Sequence, residues 1–186
     1  MLERLMPSET AVLVVDVQER LSTAMPRTRM ADLVRAARIL IEGGQALGAH
    51  VFATEQYPRG LGRTLEAVAG LLDRASAPRF EKLGFSAWSS EPLRAALEQV
   101  QPRSVVVLGM EAHVCVFQSV RDLARAGYAV YVPVDGVVSR RDDQREVGLQ
   151  LCERSGAVLS SAESVAFDWL EQAGTPAFKL VSGLIR

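Results

Sequence analysis

The stretch from Gly109 to Cys115 reads Gly-Met-Glu-Ala-His-Val-Cys, and it puts a thiol where two patterns meet. The apolar run Ser104–Leu108 comes just before it. Val116, Val120, Leu123 and Ala124 come after it, spaced by four, three and one. This change of period reads as a buried strand running into a helix. The free N–H groups and positive dipole end of a helix start favour a thiolate. Two more reactive side chains close predicted strands: Asp16 follows Ala11–Val15, and Lys82 ends Pro78–Lys82. In one parallel sheet all three project from the carboxyl edge, where α/β sites are built. A thiol, a carboxylate and an ammonium together suit nucleophilic acyl transfer. The carboxylate takes the thiol proton, the ammonium holds the resulting anion, and helix N–H groups hold an oxyanion.

Each residue also has a plainer reading. A cysteine among apolar residues fills cores, an aspartate at a strand end caps turns, and a lysine belongs at the surface. His113 lies two residues before Cys115, a separation that points side chains apart, so it reads as structural or as a pocket wall. Cys152 falls in a row with Gly148 and Ser155 on an amphipathic helix and reads as packing. His50 precedes a strand and reads as a surface or capping residue. Gly43-Gly44 with Gly48 resembles a phosphate loop only in glycine content. No Lys-Ser/Thr follows and no Gly-x-Gly-x-x-Gly opens a helix, so nucleotide binding is discounted.

The elements that must position these residues alternate along the chain. Leu33, Ala37, Leu40, Gly44 and Leu47 predict a helix over 30–47, ended by Gly48. A second strand is predicted over 50–54, a short helix over 64–74, and a helix opened by Ser90-Glu91-Pro92 with a capping hydroxyl. A helix over 114–126, a strand over 129–133, a helix over 142–155 and a strand over 157–159 follow. Ser160 and Glu163 suggest a capping box for a last helix through Ala173. Short continuous apolar strands alternating with helices predict a three-layer α/β/α fold, its mostly parallel sheet having about six strands. No linker or repeat divides the chain, so residues 1–186 read as one domain. The turn-rich loop Gln56–Gly62 follows a strand end and is a place for substrate contacts. Gln18 could orient Asp16 or touch substrate. Tyr57, Phe85 and Trp88 lie in loops after strand ends and are candidate pocket walls.

The bulk numbers narrow the function classes. The chain has 186 residues, 48% hydrophobic and 23% charged, with a net charge of −1. Its Lys and Arg are scattered, which argues against nucleic acid or an anionic membrane as partner. No span of about 20 apolar residues and no secretory h-region is seen. Two cysteines without secretory context point to reduced thiols and a cytoplasmic setting. Neither Cys-x-x-Cys nor His-x-x-x-His spacing occurs, so no metal and no cofactor is expected.

Together these pieces resemble the isochorismatase-like cysteine hydrolase superfamily. The matching segments are Ala11-Val-Leu-Val-Val-Asp16-Val-Gln18, Phe80-Glu-Lys82, Gly109-Met-Glu-Ala-His-Val-Cys115-Val and Val132-Pro-Val-Asp135-Gly-Val-Val-Ser139-Arg140. Thr54-Glu-Gln-Tyr57-Pro58 with Gly60-Leu-Gly62 resembles the isochorismatase-domain-containing subgroup rather than nicotinamidases. The resemblance implies a triad of Asp16, Lys82 and Cys115. It also implies a cis peptide at Met110–Glu111 and an oxyanion hole built from the backbone N–H groups of Glu111 and Cys115. Two departures matter. Nicotinamidases carry a metal-binding Asp and His set after the second strand, where this chain has Glu55-Gln56-Tyr57-Pro58. True isochorismatases lack the nucleophilic cysteine. The expectation is therefore a metal-independent cysteine hydrolase of a small amide or ureido compound, working through a thioester. The alternative is a non-catalytic or redox-sensing member of the fold, acting in binding or assembly. The resemblance further implies a homo-oligomer, with the apolar tail Phe178–Ile185 as a buried patch. From the residues alone, a seventh strand or a tail packed within the chain is an equal alternative.

Overall fold

The strand β1 (Thr10–Val15) is buried at every position, as a strand covered on both faces must be. It pairs in parallel with β2 (His50–Gln56) on one side and β4 (Ser104–Met110) on the other. In this computed structural model, which describes residues 3–185, the sheet is completed by β3 (Arg79–Lys82), β5 (Ala129–Pro133), β6 (Val137–Val138) and β7 (Val158–Ser160). The seven strands run in the order β3-β2-β1-β4-β5-β7, with β6 pairing β4 off this path. Every strand pair is parallel. The chain steps outward from β1 through β2 to β3, then returns to place β4 on the other side of β1. The strand order thus reverses between β1 and β4, the kind of switch point where α/β sheets bind ligands.

Helices cover both faces. They are α1 (Glu19–Ser22), α2 (Arg27–Arg38), α3 (Gly44–Leu47), α4 (Pro58–Leu61), α5 (Glu66–Arg74), α6 (Glu91–Val100), α7 (Phe117–Arg125), α8 (Asp142–Arg154), α9 (Ala162–Leu170) and α10 (Pro176–Ile185). Alternation along β1 divides the core. Val12 and Val14 pack with Leu33, Leu40, Leu72, Val165 and Val181 from α2, the turn after it, α5, α9 and α10. Leu13 and Val15 pack with Leu97, Leu123 and Cys152 from α6, α7 and α8. Truncating Leu13 or Leu33 to Ala should cost about 2–5 kcal/mol, read as a fall in the denaturant midpoint, since either change opens a void in a close-packed layer.

The structure changes several expected elements. The predicted helix over 30–47 begins three residues earlier, after Pro26, and is interrupted by a wide π-type turn at Ile39–Gly43. Ser90 stands at the N-cap of α6, but its hydroxyl makes no capping bond and is buried without a partner. The cap of α9 is Ser161, not Ser160, and its hydroxyl accepts the Ser164 N–H at 3.0 Å. That helix ends at Leu170 rather than Ala173. The apolar tail is neither a strand nor a bare patch. It forms α10, which buries Val181 in the core and leaves Leu180 exposed. Among the described residues, no helix is long and apolar enough to cross a membrane.

Candidate active site

The first turn past β1 carries Asp16 in a left-handed conformation at φ 53°. Thr54 of β2 fastens it twice: Asp16 N–H donates to the Thr54 carbonyl at 3.1 Å, and Thr54 Oγ1 donates to Oδ1 at 2.8 Å. The second carboxylate oxygen accepts Lys82 Nζ at 2.6 Å, with the two side chains 0% and 1% exposed. Lys82 is therefore no surface lysine. Its ammonium also donates to Gln56 Oε1 at 2.8 Å, the Phe85 carbonyl at 2.9 Å and the Gly84 carbonyl at 3.1 Å. A buried ion pair repays its desolvation only when such added hydrogen bonds surround it.

On the other side of β1, Gly109 pairs with Val15 at φ 134°. A Cβ there would collide with the Val15 carbonyl, so only glycine allows β4 to leave the sheet this close to β1. The Met110–Glu111 peptide that follows is cis. A wide helical turn, Ala112–Val116, then carries Cys115 into α7. The Glu111 carbonyl accepts the N–H groups of Val114 and Val116 at 3.0 and 3.2 Å. Ser119 Oγ donates to the Cys115 carbonyl at 2.6 Å and accepts the Ala87 N–H at 2.7 Å. Gly148 of α8 lets that helix approach the backbone of Ala112 and His113.

Asp16 and Lys82 thus meet on the carboxyl edge, and Cys115, 5% exposed, lies near enough for its thiol to feel both charges. Burial pushes the Cys115 thiol up to about 12, and the Asp16 charge adds to this while Lys82 opposes it. Desolvation thus works against the effect of the helix start and favours the thiol over the thiolate. Burial likewise raises the Asp16 carboxyl, against the pull of Lys82 and the hydrogen bond from Thr54. Iodoacetamide should therefore label Cys115 slowly at pH 7 and faster as pH rises. Rapid labelling well below pH 8.5 would show a preformed thiolate and contradict this description.

The expected pocket walls divide. Gln18 is fully buried and does not reach the Asp16 carboxylate or open space. Its amide donates to the carbonyls of Gln56 at 3.0 Å and Gly62 at 2.7 Å, and accepts the Gln56 N–H at 2.7 Å. It ties the 57–62 loop to the strand ends, so its expected contact with Asp16 or substrate is replaced by a structural one. Trp88 is turned away as well, packing edge-on against Tyr128 at 5.8 Å. Phe85 is exposed, and its carbonyl serves Lys82. Tyr57 does line a cleft of about 630 Å³ beside Lys82, with Arg59, Leu83 and Ser90 among its other walls. A larger cleft of about 790 Å³ lies over Glu55, Arg63, Thr64 and Arg79 and contains none of Asp16, Lys82 and Cys115.

Thr54, Gln56 and Arg140 enter the sequence analysis only as members of matched segments or of a loop, without a role, and Ser119 does not enter it. Thr54 and Gln56 alternate on one face of β2, a period-two signal that was available. Arg140 contacts Glu111 across 29 positions, and no local pattern announces that pairing. Among the described residues, no group of three or more His, Cys, Asp or Glu could hold a metal ion.

The family model for the isochorismatase domain matches residues 10–164. Isochorismatase domain-containing protein 1 of Salmo salar is 32% identical over 186 residues, covering all of this chain and 64% of that protein. Secreted isochorismatase effector Isc1 of Phytophthora sojae is 33% identical over 190 residues, covering all of this chain and 88% of the effector. Among solved structures, MAR1 ribonuclease from Caenorhabditis elegans superposes with a TM-score of 0.88 at 31% identity, covering 98% of this chain and 92% of that one. The chain belongs to the isochorismatase domain family. It spans a little under two thirds, 64%, of the length of the salmon relative.

Proposed function

We propose that the chain is a metal-independent cysteine hydrolase that cleaves a C–N bond in a small amide or ureido compound. The observation that carries this reading is the buried Asp16–Lys82 pair at 2.6 Å, set against a buried thiol. Asp16 accepts the thiol proton as sulfur bonds to the carbonyl carbon. The oxyanion is held by the backbone N–H groups of Glu111 and Cys115. The C–N bond breaks, Asp16 returns the proton to the leaving nitrogen, and a thioester remains. Water then attacks the thioester and gives its proton to Asp16. The C–S bond breaks, the acid leaves, and the proton returns to sulfur. Lys82 keeps Asp16 ionised and in place. The raised thiol fits this order of events, because proton transfer then accompanies substrate attack. The test is a panel of amides, ureido acids and isochorismate, with mass spectrometry for a thioester on Cys115. Turnover of a C–N substrate with that adduct supports the reading. No turnover across the panel, together with a peroxide-induced Cys115–Cys152 disulfide, would favour the redox alternative.

Both cysteines are free thiols, which supports a reducing, cytoplasmic compartment, although the Phytophthora relative is named as secreted. Cell fractionation decides this. We also propose a homo-oligomer, supported by exposed Phe167 and Leu180 on the outer helices α9 and α10. Light scattering at micromolar concentration should exceed the 20.2 kDa of one chain, and a value at that mass would overturn the proposal.

A further inference from the structure

Arg140, in the segment between β6 and α8, grips Glu111 at two points. Its Nε donates to Oε1 at 3.0 Å and its Nη2 to Oε2 at 2.7 Å. The Arg140 backbone N–H adds a third bond to Oε1 at 3.1 Å. The Glu111 side chain is 6% exposed and that of Arg140 59%, so the carboxylate is buried and its counterion reaches solvent. Glu111 caps the turn that carries Cys115, and its carboxylate is one of the charges felt by the Cys115 thiol. A second link runs in parallel, His113 Nδ1 to Ser139 Oγ at 3.0 Å. The segment behind both links is itself held. Its strand β6 pairs with Gly109 and Met110, and Arg145 of α8 donates to the carbonyls of Val134 and Val137.

We infer that Arg140 is a positioning residue for Cys115: it neutralises the Glu111 carboxylate beside the thiol and pins the turn that carries it. The charges that act on the Cys115 thiol are, from the largest, Asp16 at the end of β1, Lys82 at the end of β3 and Glu111 ahead of its own turn. Burial works against the Glu111 carboxylate, and the Arg140 hydrogen bonds and charge outweigh it and hold the group below its ordinary value. Of the two carboxylates, Asp16 is answered by Lys82 and Glu111 by Arg140. Without Arg140, a buried negative charge would be left beside an atom that must itself become negative. The importance of this for turnover rests on the hydrolase reading, but the effect on the thiol does not.

The test therefore reads the thiol directly. Iodoacetamide alkylation of Cys115, quantified by peptide mass spectrometry from pH 7.5 to 10, is compared in wild type, Arg140→Gln, Arg140→Lys, Glu111→Gln and the double Glu111→Gln/Arg140→Gln. Arg140→Gln should slow alkylation about three- to tenfold at a given pH, as expected for a thiol pKa raised by up to one unit. Arg140→Lys keeps the charge and should stay within about twofold of wild type. The double variant removes the stranded carboxylate and should recover most of the lost rate, which general loosening of the fold would not do. If Arg140→Gln alkylates like wild type, or the double variant stays as slow as Arg140→Gln, the inference is wrong. Should Arg140→Gln not fold, the Glu111→Gln and Arg140→Lys comparison decides. Faster alkylation in Glu111→Gln and near-normal alkylation in Arg140→Lys uphold the inference, and equal slowing in both overturns it. An absence of substrate turnover would leave all these readings intact and count only against the hydrolase proposal.

Discussion

Cys115→Ala is expected to lower kcat by a factor of about 10⁴ or more while the protein stays folded. The size follows from losing the atom that forms the covalent intermediate in the proposed mechanism, since the remaining groups would then act only on bound substrate and water. The fold should tolerate the change because the turn is held by other means. Glu111 accepts two backbone N–H groups, Ser119 holds the Cys115 carbonyl, and Gly148 backs the turn. Cys115→Ser should be nearly as inactive, since an alcohol in the same dry site is far harder to ionise than a thiol. Cys152→Ala supplies the contrast. That thiol is packed on α8 among apolar residues, and burial alone pushes it up to about 12. Turnover in Cys152→Ala should remain near that of wild type. If Cys152→Ala abolishes turnover and Cys115→Ala does not, the nucleophile is misassigned. The two thiols also set an alkaline limit on stability. Each sits near 12 in the folded chain against an ordinary value of 9.0, so the unfolded chain releases protons first. Their contribution is complete below about pH 9 and is lost as pH rises toward 12, because the unfolded state then binds fewer protons. A chemical-denaturation series above pH 9 should show a shallower loss in the Cys152→Ala variant than in wild type.

The sheet was legible because buried parallel strands leave unbroken apolar runs, as in Ala11–Val15 and Ser104–Leu108. Their length was underread where a strand continues into the site. Glu55 and Gln56 extend β2, and Gly109 and Met110 extend β4, yet polar residues and glycine look like strand ends from sequence. β6 is only two residues long, too short to make a pattern. The turn at Ile39–Gly43 keeps the apolar period of a helix, so periodicity could not mark the change in hydrogen bonding. Asp16, Lys82 and Cys115 were readable as a group because strand ends in one sheet share an edge. What was not readable is how they are held. Gln18 looked like a site residue by its nearness to Asp16, but its amide is taken up by the backbone of Gln56 and Gly62 instead. Trp88 looked like a pocket wall for its place after a strand, and Tyr128, 40 positions later, offered its ring a better surface. Sidedness within loops depends on contacts distant in sequence, and one chain carries no record of them.

Lys82→Met is expected to destabilise the chain by about 3–5 kcal/mol and to remove turnover, because it leaves the Asp16 carboxylate buried without its counterion. Thr54 would still donate to that carboxylate, but a hydroxyl does not replace an ammonium. Asp16 would then be held protonated and could no longer accept the thiol proton, and the thiol would lose the one neighbouring charge that favours its anion. The variant should reveal itself by its response to acid. Asp16 lies above its ordinary value of 3.8 even with Lys82 present, and removing the ammonium raises it further. A carboxyl whose folded pKa exceeds its unfolded one contributes stability below the unfolded value and loses it as pH rises through the folded value. The Tm of Lys82→Met should therefore rise relative to wild type as pH is lowered from 7 to 5. Asp16→Asn should cost less stability, since the Lys82 ammonium keeps Gln56, Gly84 and Phe85 as acceptors, but it too should be inactive for want of a base. The double variant Asp16→Asn/Lys82→Met leaves no unpaired charge and should be more stable than Lys82→Met alone, with no return of activity. That separation of stability from turnover distinguishes a charged catalytic pair from a merely structural one. A Lys82→Met protein that gains nothing on acidification, or a double variant no more stable than the single, would mean that Asp16 and Lys82 do not form the buried ion pair on which the mechanism depends.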